Sequence, residues 1–315
     1  MNRGKVLFID TTHPALIEGL TSFGFQCDYF EGFGRQDYIR ILSDYCGIII
    51  RGKIKLDKKF LEKTSNLKFI GRVGAGMENI DVEFAESLDI ACLNAPEGNR
   101  DAVGEHALGM LLMLMNRLKI ADNEVRKGIW IREGNRGTEI SGKTVGIIGY
   151  GNMGSAFAQR LNGFNARVIA YDKYKFNYSD EFVEEVDMDV IFRESDILSL
   201  HVPLTDQTEF LVNTQYLNKF KKNVYLINTA RGKVLKTSDL VQQMKTGKVI
   251  GACLDVLEYE KMSFEGIDKA QLPEDFKYLI ESDRVILSPH IAGWTHESNY
   301  KMAQVIVDKV MELYR

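Results

Sequence analysis

Three short segments carry side chains suited to acid–base work on an anion: Asn228-Thr229-Ala230-Arg231-Gly232, Leu254-Asp255-Val256-Leu257-Glu258-Tyr259-Glu260 and Ser288-Pro289-His290-Ile291-Ala292-Gly293. Arginine grips a carboxylate through two parallel N–H groups. Histidine exchanges a proton near neutral pH, and a neighbouring carboxylate fixes its tautomer and steadies its cation. Arg231, His290 and Glu260 therefore suit a reaction that holds an acid and moves the proton of a nearby hydroxyl, as oxidation of a hydroxy acid requires. Taken singly, each has a structural reading too. His290 could be a satisfied strand-end histidine, Arg231 a surface ion-pair partner and Glu260 a solvated loop carboxylate. The chemical reading prevails because all three follow a nucleotide-type motif.

That motif is Lys143-Thr-Val-Gly-Ile-Ile-Gly149-Tyr150-Gly151-Asn152-Met153-Gly154, a β-branched run, a glycine turn and a helix start. Gly149 permits the tight turn, Gly151 lets a pyrophosphate approach the backbone, and Gly154 lets helix and strand pack closely. Phosphates would meet the open N–H groups at the helix start near Asn152 and Met153. Asp172 ends the next apolar run, where a carboxylate can bind both ribose hydroxyls and repel a 2′-phosphate. The alternative is a structural glycine turn with an ordinary strand-end acid. The full context favours NAD, while Lys173 and Lys175 leave NADP open.

Elements must place these groups together. Short β-branched runs at 5–9, 47–50, 68–70, 90–93, 144–148, 167–171, 196–200, 224–228, 249–254 and 284–287 alternate with helical-period segments such as 13–23, 101–117, 153–161 and 237–245. Such alternation predicts α/β architecture with two doubly wound parallel sheets, about four strands before residue 95 and about six between 144 and 288. The turn at Asn94-Ala-Pro-Glu-Gly-Asn99 and the segment near Pro289 mark the boundaries. The expected domains are 1–97 with 292–315, and 98–291. A last helix over 297–313 is expected to return to the first domain, and helices around 101–127 to bridge the two. Residues 258–273 read as a surface loop. The catalytic segments follow strands on the carboxyl side of the second sheet, where open α/β sheets bind ligands. His201, in His201-Val202-Pro203-Leu204-Thr205, ends a strand there and reads as cofactor-groove lining. His13, His106 and His296 lack a comparable setting.

Composition narrows the class. Among 315 residues, 45% are hydrophobic and 27% charged, with a net charge of −4, which argues against nucleic acid or an anionic membrane as partner. No apolar run reaches the roughly 20 residues of a membrane span. The start runs directly into a strand pattern and reads as free of a signal peptide. The four cysteines, Cys27, Cys46, Cys92 and Cys253, are dispersed and read as reduced core residues in a cytoplasmic protein. No metal site is expected.

The chain resembles the D-isomer-specific 2-hydroxyacid dehydrogenase family over nearly its whole length. The matching segments are Val73-Gly74-Ala75-Gly76-Met77-Glu78-Asn79-Ile80-Asp81, Asn94–Asn99, Gly149–Gly154, His201–Thr205, Asn228–Gly232, Leu254-Asp255-Val256 and Pro289–Gly293. The resemblance implies a flavodoxin-like substrate domain, a Rossmann NAD domain and an interdomain cleft that closes. It implies catalysis by Arg231, Glu260 and His290. It implies cofactor contacts from Gly149, Gly151, Asn152, Met153, Gly154, Asp172, His201, Pro203, Thr205, Thr229, Ala230, Asp255 and His290. Substrate contacts are implied at Val73, Gly74, Ala75, Gly76, Asn99, Arg231 and His290, and a homodimer built through the cofactor domain. Arg51 and Arg72 resemble the phosphate-contacting positions of the family's enzymes that oxidise 3-phospho-D-glycerate to 3-phosphohydroxypyruvate in serine biosynthesis. The alternatives are a glyoxylate/hydroxypyruvate reductase, a D-lactate-type dehydrogenase, or an NAD(H)-sensing binding protein on the same fold. Three departures stand out: Lys261 where the family has Pro, a longer stretch over 263–282, and Glu78 in place of Asp. They bear on substrate shape. Ending at Arg315 reads as a short form without a regulatory domain.

Overall fold

Ile48, Ile49 and Ile50 are all inaccessible to solvent, as are Val145 and Ile147, so successive side chains on both faces of these runs are covered. That is the pattern of parallel strands between helical layers. The computed structural model describes residues 3–260 and 273–315. Its first sheet contains β1 (Lys5–Phe8), β2 (Gln26–Tyr29), β3 (Gly47–Ile50), β4 (Phe69–Arg72) and β5 (Ala91–Asn94) in the order β2-β1-β3-β4-β5. The second contains β6 (Thr144–Ile148), β7 (Arg167–Tyr171), β8 (Glu184–Glu185), β9 (Ile197–Leu200), β10 (Val224–Asn228), β11 (Val249–Leu254) and β12 (Val285–Leu287), in the order β12-β11-β10-β9-β6-β7-β8. All pairings are parallel. The first order is flavodoxin-like; the second is the dinucleotide-binding order with a seventh strand added. Each sheet reverses its winding once, between β1 and β3 in one and between β6 and β9 in the other, the points at which open α/β sheets bind ligands.

The chain forms two compact units, Met1–Arg100 with Trp294–Arg315, and Asp101–Gly293. Helix Pro96–Met115 runs through the first join. In the first unit, Leu7, Tyr38, Ile48 and Ile70 fill one face of the sheet, and Phe8, Leu16, Ile49 and Phe69 fill the other. The last helix, His296–Leu313, adds Met302, Ile306 and Val310 to the second of these cores. It lies so close to helix Pro14–Ser22 that a Cβ on Gly19 would come within 2.6 Å of Val307. In the second unit, Ala107, Met110, Leu111 and Leu114 pack against Val145, Ile147 and Phe157. Each of the larger of these buried side chains, Met, Leu, Val, Ile and Phe, contributes roughly 1.5–3 kcal/mol.

Four features differ from the sequence expectation. Strands β2 and β8 had no periodic signal, because both lie at sheet edges and stay half exposed. The helical segment over 101–127 breaks at Arg117, whose φ of 54° ends one helix before the next begins at Leu118. Within 263–282, the stretch longer than in the family and without a helical expectation, Glu274–Glu281 is a helix that buries Phe276 and Leu279. Lys261 and the remainder of that stretch to residue 272 lie outside the described residues. Among the described residues no helix is long and apolar enough to cross a membrane.

Candidate active site

In the second unit the glycine turn leaves β6 at the point where the sheet reverses. Gly149 has φ 91°, and a Cβ there would lie 2.6 Å from the His201 carbonyl oxygen, so only glycine fits. A Cβ on Gly154 would lie 2.1 Å from the Gly149 oxygen. At Gly151 the Cβ direction is open, which leaves space beside the backbone for a bound phosphate. Gly151 caps helix Asn152–Arg160 without a side chain, so the first-turn amides face outward for an anion. The Asp172 carboxylate accepts from the amides of Tyr150 (2.8 Å), Tyr174 (2.9 Å) and Lys175 (3.0 Å). It ties the turn to the next loop and, with four lone-pair positions, keeps capacity for ribose hydroxyls. Lys175 Nζ donates to the Tyr150 carbonyl at 3.0 Å rather than pointing to a 2′-phosphate. These residues fit a dinucleotide.

His201 turns inward. Its Nε2 pairs with Ser199 Oγ at 2.8 Å and its ring lies against Phe157. Among the described residues its Nδ1 is buried without a hydrogen-bond partner, and burial pushes its pKa down to about 3. Thr208 ties the Pro203–Thr205 turn by donating to the Pro203 oxygen and accepting from the Thr205 amide.

Buried Asn228 shapes the loop after β10. Its Nδ2 donates to the Arg231 oxygen and its Oδ1 accepts from the Ala230 amide. Thr229 lies in the same turn with its hydroxyl buried. Gly232 is required because a Cβ there would sit 1.9 Å from the Leu257 oxygen. This close contact brings the Arg231 loop against the segment leading to Glu260. Glu260 Oε2 lies 2.7 Å from His290 Nδ1, and its Oε1 accepts from the Leu257 amide. Both side chains are about a quarter exposed, accessible yet partly shielded from water. The trio expected from the sequence thus comes from three neighbouring loops at one sheet edge.

Asp255 and His106 meet at the Ser288 hydroxyl. Asp255, expected to contact the cofactor, has a side chain that is 1% exposed. Its oxygens accept from Ser288 Oγ (2.6 Å), Ile291 N (2.8 Å) and Ala292 N (2.8 Å), because a buried carboxylate must find donors. His106, judged to lack a functional setting, lies 2.9 Å from Ser288 Oγ and 3.6 Å from Asp255.

In the first unit Asp10, at the end of β1, organises the loop after β3. Its Oδ2 accepts from the amides of Arg51 (2.6 Å), Gly52 (3.1 Å) and Lys53 (3.4 Å). The Arg51 guanidinium lies 4.2 Å from the Trp294 ring, and desolvation lowers its pKa. Arg72 crosses Gly74 so closely that a Cβ there would be 1.4 Å from Nη1. Val73 is buried, and the carbonyls of Gly74 and Ala75 are tied to Ala95 N and Asn94 Nδ2. Among the described residues the amides of Ala75 and Gly76 have no acceptor, which suits a carboxylate. Asn99 lies in helix Pro96–Met115, and among the described residues its buried Oδ1 has no hydrogen-bond partner. Asp10 and Trp294 carried no sequence signal, since their roles depend on partners distant in the chain.

Residues 108–292 match the family model for the D-isomer specific 2-hydroxyacid dehydrogenase NAD-binding domain. The chain is 34% identical over 282 residues to the hydroxypyruvate reductase of Thermotoga maritima, covering 90% of this chain and 89% of that protein. It is 32% identical over 311 residues to the D-3-phosphoglycerate dehydrogenase of Archaeoglobus fulgidus, covering 98% of this chain and 57% of that protein. The chain therefore spans little more than half the length of the latter. A crystal structure of D-lactate dehydrogenase from Aquifex aeolicus, complexed with NAD and lactic acid, superposes with a TM-score of 0.82 at 29% identity, covering 98% of this chain and 95% of that one. The chain belongs to the D-isomer-specific 2-hydroxyacid dehydrogenase family. Its second unit carries that family's NAD-binding domain.

Proposed function

We propose that the chain interconverts a small D-2-hydroxy acid and its 2-oxo acid, and that its substrate bears a phosphate, as 3-phospho-D-glycerate does. The observation that carries the reaction type is the Glu260–His290 contact of 2.7 Å beside the Arg231 loop. With Nδ1–H held by Glu260, His290 Nε2 takes the proton of the C2 hydroxyl. Arg231 binds the carboxylate and polarises the C2 oxygen, and the Ala75 and Gly76 amides take a carboxylate oxygen. When bound along Gly149–Gly154 and Asp172, NAD supplies the hydride acceptor. Arg51 and Arg72 are the cations assigned to the phosphate.

Similarity to a hydroxypyruvate reductase at nearly full mutual coverage favours a second reading, reduction of hydroxypyruvate or glyoxylate. Comparing kcat/KM for phosphohydroxypyruvate, hydroxypyruvate and glyoxylate by loss of NADH absorbance separates the two. Arg72→Ala should raise KM for the phosphorylated acid alone; equal effects on all three would remove the phosphate assignment. His290→Ala should lower turnover by about 10²- to 10⁴-fold with NADH still bound, and unchanged turnover would falsify the base assignment. Trp130 (79% exposed), together with exposed Leu118, Val125, Ile129 and Ile131, supports a homodimer built through the second unit, which sedimentation would test.

A further inference from the structure

We propose that His106 is a positioning residue for His290, acting through Ser288 and Asp255. Three consecutive amides converge on Asp255. His290 N donates to its carbonyl at 2.7 Å, Ile291 N to Oδ1 at 2.8 Å and Ala292 N to Oδ2 at 2.8 Å. This nest holds His290 at φ 57°, a left-handed conformation that a non-glycine residue adopts only under constraint. Asp255 is itself fixed from behind. Its amide donates to the Asn228 oxygen, and its Oδ1 accepts the Ser288 hydroxyl at 2.6 Å. With that single proton directed to Asp255, Ser288 Oγ must accept from His106 Nε2 at 2.9 Å. The order is His106 Nε2–H to Ser288 Oγ–H to Asp255 Oδ1, and His106 Nε2 also stands 3.6 Å from that carboxylate. His106 comes from helix Pro96–Met115, which packs on the second unit's core through Ala107 and Met110. The helix thus reaches the proton-exchanging imidazole through two side chains and one loop. Losing the first link would let Ser288 rotate toward Met110 Sδ, 3.7 Å away, and leave Asp255 one donor short.

The inference rests on His290 as the proton-exchanging group, and its test separates the two claims. His106→Phe, His106→Gln, Ser288→Ala and His290→Ala are made in the full chain, with the best 2-oxo acid of the panel as substrate. His106→Phe should lower kcat by roughly tenfold to a hundredfold, since small displacements of reacting groups have such effects. KM and the NADH dissociation constant should stay within about twofold. His106→Gln, whose amide can donate to the same hydroxyl, should recover most of the loss without a matching change in thermal midpoint. Wild-type kcat in His106→Phe overturns the inference. So does a His106→Gln variant as impaired as His106→Phe, because the hydrogen bond would then be irrelevant. If His106→Phe does not fold, Ser288→Ala decides: a reduced kcat supports the relay and an unchanged one ends it. Turnover surviving in His290→Ala would instead defeat the reading of the site.

Discussion

His290 combines a strained backbone with a directed side chain. The left-handed conformation costs on the order of 1–3 kcal/mol, and the amide nest around Asp255 compensates for it. Glu260 then fixes the ring through Nδ1, so geometry and tautomer are set by different residues. Glu260→Gln keeps the size and removes the charge that steadies the imidazolium. Turnover should fall by about 10²- to 10⁴-fold while NADH affinity holds, as steady-state kinetics and a fluorescence titration would show. Wild-type turnover would dissociate Glu260 from the proton transfer. His201 makes a separate prediction about acid. Burial lowers it from the ordinary 6.5 to about 3, so between those pH values the unfolded chain binds a proton that the native chain refuses. Its contribution is fully present above pH 6.5 and is lost as pH falls toward 3. His201→Gln can keep a hydrogen bond to Ser199 and removes the titration. The acid-unfolding midpoint, followed by circular dichroism, should move to lower pH; no movement would show that the native ring is readily protonated.

At the scale of elements, the cofactor turn after β6 and the Asp10 and Arg51 loops after β1 and β3 follow strands at which a sheet reverses its winding, and tight backbone contacts maintain the glycine turn. Gly154→Ala would place a Cβ 2.1 Å from the Gly149 oxygen, pushing the helix start away from the turn. The expected result is a loss of roughly 1–3 kcal/mol of stability together with weaker NADH binding. Thermal melting and titration would check both, and two unchanged values would mean that the turn tolerates the shift. The same elements show why part of the fold was readable in the sequence. Central strands are apolar on both faces, so Ile48–Ile50 and Val145–Ile148 stand out in the sequence. Edge strands Gln26-Cys27-Asp28-Tyr29 and Glu184-Glu185 are polar and half exposed, so they do not. Arg231, Glu260 and His290 were legible because their own types state their chemistry. The contribution of His106 lies in a partner 182 positions away, and that of Asp10 in amides 41 to 43 positions on. No local pattern encodes such pairings.

At the scale of the whole molecule, the proposed groups divide between two units that have separate cores. Every residue assigned to the cofactor, from Gly149 to His290, lies in Asp101–Gly293, whereas Arg51, Arg72 and the Gly74–Gly76 loop lie in the other unit. A ligand stabilises the part that binds it, by about 2.7 kcal/mol at a hundred times its dissociation constant. NADH should therefore raise the melting of the larger unit. Asp10→Ala deprives the amides of residues 51 to 53 of their acceptor and should lower the melting of the smaller unit by roughly 1–3 kcal/mol. In calorimetry of the full chain, the variant marks which transition belongs to which unit, and NADH should move the one that the variant leaves in place. Movement by NADH of the Asp10-marked transition alone would put the cofactor in the wrong unit and overturn the assignment of Gly149, Gly151, Gly154 and Asp172 together.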